Sequence, residues 1–265
     1  MIIAQISDPH IQLDYEPAVT QLQRAIEHLL QLPTRPDVVM ITGDCTNNGT
    51  VAEYELFREA IGALPMPTFV IPGNHDNREH MLAVIGEQGQ VQLPGYMQYV
   101  VDVGPLRLIA LDTNIPGQGG GAQDPEQLEW LAQRLEEAPD RPTLIFMHHP
   151  PFRTGFRAYD QIGLADAEAF GALIARHPQI ELIGAGHVHA TMVRRFYGTL
   201  ALTCPAIYEQ MLPDESQRER LVVQKQPPQC FLHIWDEQSG LTSYASQIGQ
   251  HGPSVTVFDG QRWVG

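Results

Sequence analysis

An α/β fold, a largely parallel sheet flanked by helices, is predicted by three features of the sequence. Short runs rich in Val, Ile and Leu alternate with stretches of helical period. Proline sits where those helical stretches begin and end. Residues able to bind metals or carry protons fall just after the apolar runs rather than inside them.

Taken in order, 2–6 (IIAQI), 38–42 (VVMIT), 68–71 (TFVI), 99–103 (YVVDV), 106–111 (LRLIAL), 143–147 (TLIFM) and 180–185 (IELIGA) read as strands buried on both faces. Between them, 17–32 places Val19, Leu22, Ile26, Leu29 and Leu30 on one helical face, with Pro17 near its start and Pro33 past its end. Segments 51–64, 125–137 and 166–176 behave alike, and Asp124-Pro125 reads as an N-cap followed by an N1 proline. The pair 99–103 and 106–111 reads as a hairpin across Gly104-Pro105, and 192–203 as another turning at Gly198. The stretch 205–229 is polar and proline-rich, after which 230–235 and 241–248 regain strand character. The expected organisation is a catalytic domain over 1–198, a cap and oligomerisation segment over 199–229, and C-terminal strands over 230–265 that return to the core.

Composition excludes several functions. Acidic residues outnumber basic ones by 31 to 16, a formal net charge of −15, which argues against a nucleic-acid polymer or an anionic membrane as partner. It leaves open a small anion drawn to bound cations. Cys45, Cys204 and Cys230 have no paired spacing and form neither a disulfide framework nor a zinc ribbon. The opening MIIAQISD has no basic and apolar leader, and no apolar run is long enough to cross a bilayer, so a cytoplasmic protein is expected. The glycine run 117–121 lacks a phosphate-cradling spacing and reads as a mobile loop.

Five strand exits each deliver Asp, Asn or His: SDPH, GDCTNNG, PGNHD, HHPP and GHVH. Any one of them has a bland reading. Asp8 or Asp44 could close a turn, Asn74 could be a turn residue, and the histidines could be loop imidazoles. In an extended segment His187 and His189 would point to the same side. Their joint occurrence at successive strand ends is harder to attribute to turns alone.

The pattern Asp8-Pro9-His10, Gly43-Asp44, Gly73-Asn74-His75-Asp76, His148 and Gly186-His187-Val188-His189 resembles the calcineurin-like metallophosphoesterase superfamily, from residue 6 to about 190. The resemblance implies a four-layer αββα sandwich with a small C-terminal cap, holding two divalent or mixed-valence metal ions. It implies that Asp8, His10 and His189 hold one ion, that Asn74, His148 and His187 hold the other, and that Asp44 bridges them. Such a donor set suits Mn, Fe, Zn or Co without choosing among them. His75 is implied as the catalytic residue beside the substrate, with Asp76 either orienting it or capping the helix that follows. His149 reads equally as a substrate contact or as a support for His148.

Departures from relatives narrow the substrate. GDCTNNG lacks the Arg that grips a phosphomonoester in the protein phosphatases, and Asn47 stands where purple acid phosphatases carry a metal-binding Tyr. What remains resembles the bacterial cyclic-nucleotide and glycerophosphodiester phosphodiesterases. The implied activity is hydrolysis of small phosphodiesters by a metal-bound hydroxide, in a homo-oligomer formed through the cap, with Tyr208 a candidate substrate contact. A phosphomonoesterase or nucleotide pyrophosphatase is the in-class alternative, and a non-catalytic metal-binding scaffold the alternative from another class.

Overall fold

The computed structural model describes residues 1–213, 216, 220–249, 255–258 and 260–264. In chain order, β1 (Ile2–Ile6), α1 (Glu16–Gln31), β2 (Val38–Thr42), α2 (Val51–Ile61), β3 (Thr68–Ile71) and α3 (Arg78–Ile85) come first. Then follow β4 (Tyr99–Val103), β5 (Leu106–Ala110), α4 (Pro125–Glu136), β6 (Thr143–Phe146), α5 (Arg157–Asp160), α6 (Ala167–Ile174), β7 (Ile180–Ala185), β8 (Met192–Phe196) and β9 (Thr199–Thr203). A two-stranded ribbon, β10 (Gln210–Met211) with β11 (Val223–Gln224), precedes β12 (Gln229–Asp236) and β13 (Gly240–Gln247).

The strands make two large sheets. One runs β13-β12-β1-β2-β3, with β1, β2 and β3 parallel and β12 antiparallel against β1. The other runs β4-β5-β6-β7-β9-β8, parallel from β5 through β9 and closed at each edge by an antiparallel strand. Period-two alternation sorts the side chains into three packed interfaces. Ala4, Ile6, Val39 and Ile41 face Leu22, Ile26 and Leu29 of α1 and Tyr54 and Phe57 of α2. Their neighbours Ile3, Val38 and Met40 turn the other way, onto Leu106, Leu108, Leu144, Phe146 and Leu182 of the second sheet. Ile109, Ile145 and Ile183 turn outward again, onto Trp130, Leu131 and Leu135 of α4 and Phe170 and Leu173 of α6. Three apolar interfaces between four layers are the αββα sandwich.

Local chemistry sets the helix starts. Asp124 accepts from the Gln127 backbone N–H while Gln127 Oε1 accepts from the Asp124 N–H, each at 3.1 Å, with Pro125 at the first helical position. Thr50 and Glu53 make the same reciprocal cap on α2. The hairpin at Gly104 forms as its sequence predicts, and so does β8–β9 around Gly198.

One difference concerns the segment 199–229. Its first five residues are β9, which pairs in parallel with β7 and belongs to the six-stranded sheet. Ala201 is buried against the helix layer and Leu202 between the sheets, which the polar stretch beyond them cannot match. Residues 214, 215 and 217–219 of the expected cap lie outside the described residues. Among the described residues no helix is long and apolar enough to cross a membrane.

Leu108 sits 1% exposed at the centre of the interface between the sheets. Leu108→Ala should lower the unfolding free energy by about 2–5 kcal/mol, through lost transfer energy and the cavity left behind. Urea denaturation should show this as a lower midpoint with an unchanged m-value.

Candidate metal centre

The carboxyl ends of β1, β2 and β3 and those of β6 and β7 meet where the two sheets face each other. The candidate ligands therefore come from both sheets, and polar side chains register one on the other. Gln5 Nε2 donates to the Ala185 carbonyl across the interface at 3.0 Å and to Thr42 Oγ1 of its own sheet at 3.1 Å. The Thr42 carbonyl accepts from His148 Nδ1 at 2.8 Å, tying the end of β2 to the end of β6.

Beyond these strand ends the backbone is strained. Asp8, His10, Asp44, His187 and His189 all have positive φ, between 46° and 72°. Such conformations are uncommon for residues other than glycine and are stabilised by their surroundings at functional sites. GHVH is therefore not extended. Left-handed turns at His187 and His189, with Val188 buried between them, bring both imidazoles into one cavity. Gly73 and Gly186 are required by close approach: a Cβ on Gly73 would collide with the Asp44 carboxylate, and one on Gly186 with Ser7 Oγ and the Asp8 carboxylate.

The predicted residues come together. His10 Nε2 and His189 Nε2 lie 3.1 Å apart, His189 Nε2 is 3.5 Å from Asp8 Oδ1, and His10 Nε2 is 3.6 Å from Asp44 Oδ2. His148 Nε2 is 3.4 Å from Asp44 Oδ2 and 3.1 Å from Asn74 Oδ1. Asp8, His10, Asp44 and His189 form one group whose donor atoms lie within 4.8 Å of one another, and His148 and His187 belong to a second. His149 falls in that second group by distance, but both its nitrogens are used: Nδ1 meets Thr113 Oγ1 at 2.8 Å and Nε2 the Gly119 carbonyl at 3.2 Å. It is a support for the loop, not a free donor.

The chemistry of the set fits metal ions. Asp8 and Asp44 are 0% and 2% exposed, and among the described residues their only ion-pair partners are histidines. Each of three histidines is fixed by a carbonyl at one nitrogen: His148 Nδ1 by Thr42, His187 Nε2 by Ile162 and His189 Nδ1 by Glu209, all at 2.8 Å. A carbonyl must receive the proton, so the other nitrogen of each neutral ring offers a lone pair. Held this way, imidazoles are oriented as metal ligands are. Burial works against ionised Asp44, but His148 and then His10 beside it hold its carboxyl well below the usual range. Burial likewise opposes a charged His148, yet Asp44 and then Asp8 raise its pKa to about 9.

His75 lies at the exposed rim. Its backbone N–H donates to Asp44 Oδ1 and its Nδ1 meets the Asn47 carbonyl, each at 2.9 Å, and its ring stands 4.8 Å from that of His10. Neither role expected of Asp76 is realised. Its carboxylate accepts from the Cys45, Thr46 and Gly73 backbone N–H groups, from Thr46 Oγ1 and from Tyr54 Oη, at 2.9–3.2 Å. It thus binds the loop bearing Asp44 to the loop bearing Asn74. The cap of α3 is Asn77, which accepts from the His80 N–H. Sequence reasoning missed this hub, although a Tyr on the helix after GDCTNNG was a visible hint. The run 117–121 is also anchored rather than loose: Gly121 hydrogen-bonds with Gly163 and Ala165, and it packs so closely on His149 that a Cβ would collide with that ring. Cys45 fills an apolar gap, fully buried in the α1–α2 core.

Tyr159, Ile162, Tyr208, Glu209 and Met211 join the ligands around a cavity of about 250 Å³. Tyr159 lies on α5, Ile162 on the loop that follows it, and the other three precede or form the ribbon. The sequence singled out only Tyr208.

Residues 1–191 match the family model for calcineurin-like phosphoesterases, and the chain belongs to that family. A probable glycerophosphodiester phosphodiesterase of Arcobacter nitrofigilis is 34% identical over 264 residues, covering 96% of each chain. A probable cyclic nucleotide phosphodiesterase of a Synechococcus strain is 36% identical over 77% of this chain and 79% of its own. A dimetal phosphatase structure from Danio rerio shares the fold, with a TM-score of 0.71 at 13% identity over 94% of this chain and 99% of that one.

Two outcomes test the centre. Gly73→Ala displaces the Asp44 carboxylate, and elemental analysis should find fewer than two divalent ions per chain. Because His148 without metal stays protonated until about pH 9, a metal must expel its proton. Calorimetry in buffers of different ionisation enthalpy should therefore record proton release on Mn²⁺ binding at pH 7, and affinity that weakens as pH falls.

Proposed function

We propose that this chain hydrolyses small phosphodiesters at a two-metal centre in which Asp8, His10 and His189 hold one ion, Asn74, His148 and His187 hold the second, and Asp44 touches both. Bound there, the ions would supply Lewis acidity to the phosphoryl group and to the attacking water. Oxygen and nitrogen donors without thiolate are consistent with Mn, Fe, Zn or Co.

The protein's own groups do the rest. The Asn47 carbonyl fixes His75 through Nδ1, leaving Nε2 to meet the departing oxygen. When protonated, Nε2 donates to that oxygen as its bond to phosphorus breaks, and exposure at the rim lets solvent restore the proton. The left-handed turns and the Asp76 hub hold the ligand loops in place, so little reorganisation accompanies the reaction.

One observation carries the preference for diesters. Among the described residues no Lys or Arg lines the cavity, whereas Glu209 does. A monoester dianion would bring a second negative charge to a wall without a cationic side chain, and a diester brings only one. The names of the relatives, glycerophosphodiester and cyclic nucleotide phosphodiesterases, support the same reading. The expected self-association through the cap is supported by Leu212, Leu221 and Val223, apolar residues that are 43–47% exposed.

The metal-loaded protein should show a higher kcat/KM for bis(p-nitrophenyl) phosphate than for p-nitrophenyl phosphate, and the reverse order would overturn the diester assignment. His75→Ala should retain both metals by elemental analysis while kcat falls about 10²–10⁴-fold. Unchanged turnover in the metal-loaded variant would remove His75 from the reaction.

A further inference from the structure

The loop that follows β5 carries none of the candidate ligands, yet it grips two of the loops that do. Asn114 Nδ2 donates to the Gly73 carbonyl and to the Asp76 carbonyl, the second at 3.2 Å. Those carbonyls stand at the two ends of the turn that carries Asn74 and His75. The turn's own closure, from the Asp76 N–H to the Gly73 carbonyl, is 3.3 Å long. An amide nitrogen has two hydrogens, and here each is committed to one end of the turn. Beside Asn114, Thr113 Oγ1 meets Nδ1 of His149 at 2.8 Å, next in the chain to His148.

Asn114 is itself held in place. It is 8% exposed, its N–H donates to Asp112 Oδ1 at 3.0 Å, and its carbonyl accepts from Arg78 Nη2 at 2.9 Å. The Asp112 carboxylate, wholly out of water, takes Arg78 Nε at 2.5 Å and Nη2 at 3.1 Å, a two-point contact that fixes both side chains. Arg78 opens α3, two residues after the turn ends. Asn114 thus holds the turn, and the helix that follows the turn holds Asn114. Asn74 and His75 have weaker anchors of their own. Among the described residues Asn74 makes one hydrogen bond, at 3.1 Å to His148 Nε2, and His75 is exposed at the rim. Where their side chains lie depends on the turn that carries them.

We propose that Asn114 is a positioning residue, whose amide holds the Gly73–Asp76 turn in the shape that keeps Asn74 on the second ion and His75 beside the departing oxygen. This rests on the two-metal reading above. An ionised Asp of the same shape would have no hydrogen to give the two carbonyls, and a Ser only one.

The test compares the wild type with Asn114→Ala and with Leu108→Ala, which weakens the core without touching the turn. Calorimetric titration with Mn²⁺ should show Asn114→Ala losing about 10–100-fold in affinity for one ion, the other changing by less than about threefold. On bis(p-nitrophenyl) phosphate at saturating Mn²⁺, kcat should fall about 10–100-fold while KM changes by less than about threefold, as expected when reacting groups are misplaced. Leu108→Ala, at a temperature where it is folded, should keep both affinities and kcat. Should Asn114→Ala not fold, Asn114→Ser, which keeps one donor, is judged by the same readings. Unchanged affinities and kcat would overturn the proposal. Equal weakening at both ions would also overturn it, because a general loosening of the loops would then account for the loss. Either result leaves the two-metal reading standing. A wild type that binds no Mn²⁺ would instead overturn that reading, and this proposal with it.

Discussion

Two carboxylates out of water set the terms for the rest of this molecule. Asp8 and Asp44 are almost wholly buried, and among the described residues they pair only with histidines. An unbalanced buried charge is too expensive to persist, so it is neutralised by protons or by other cations. Three of the neighbouring histidines are fixed through one nitrogen to main-chain carbonyls, which suits them to the neutral, lone-pair-bearing form. Protons and metal ions therefore compete for the same interior. The burial that would destabilise an empty carboxylate pair favours any cation, proton or metal ion, that neutralises it.

The same constraint explains the strained backbone. Side chains must converge from five strand ends on a region a few ångströms across, and ordinary β or α conformations would send some of them past it. Left-handed turns at Asp8, His10, Asp44, His187 and His189 correct the aim. Each costs about 1–3 kcal/mol in isolation. The Asp76 carboxylate offsets part of this by accepting from five donors on the two adjacent loops and on α2. Gly73 and Gly186 contribute by having no Cβ where the carboxylates must pass. Rigidity of the ligand loops is thus a consequence of local bonding, present before any metal or substrate arrives.

Much of this was legible in the sequence because its signals are local. Apolar runs, proline at helix starts and the Asp124–Gln127 cap each depend on neighbours a few residues apart, and the elements form where those signals fall. The candidate ligand set was legible because each of its residues lies within four residues of a strand end. What could not be read depends on residues distant in the chain. That Asp76 serves Cys45, Thr46 and Tyr54 rather than His75 follows from how two loops stack. That 199–203 joins β7 in parallel follows from a chain reversal after β8. GHVH illustrates the limit of periodicity: two histidines at i and i+2 reach one cavity, but by left-handed turns rather than by the pleat of a strand.

A last consequence concerns how one centre can serve different diesters. Ile162 and Glu209 each act twice: the main-chain carbonyl orients a histidine, while the residue also lines the cavity. The backbone of the ribbon adds a second tie, from the Met211 N–H to the His189 carbonyl at 3.1 Å. Carbonyl and N–H groups are the same whatever the side chain, so the orientation of His187 and His189 does not depend on which residues occupy these positions. Side chains on the wall can change in size and polarity, and with them the substituent accommodated, without moving the ligands. The orientation of these candidate ligands is held by main-chain atoms of the loops, and the lining of the cavity is set by the side chains those same loops carry.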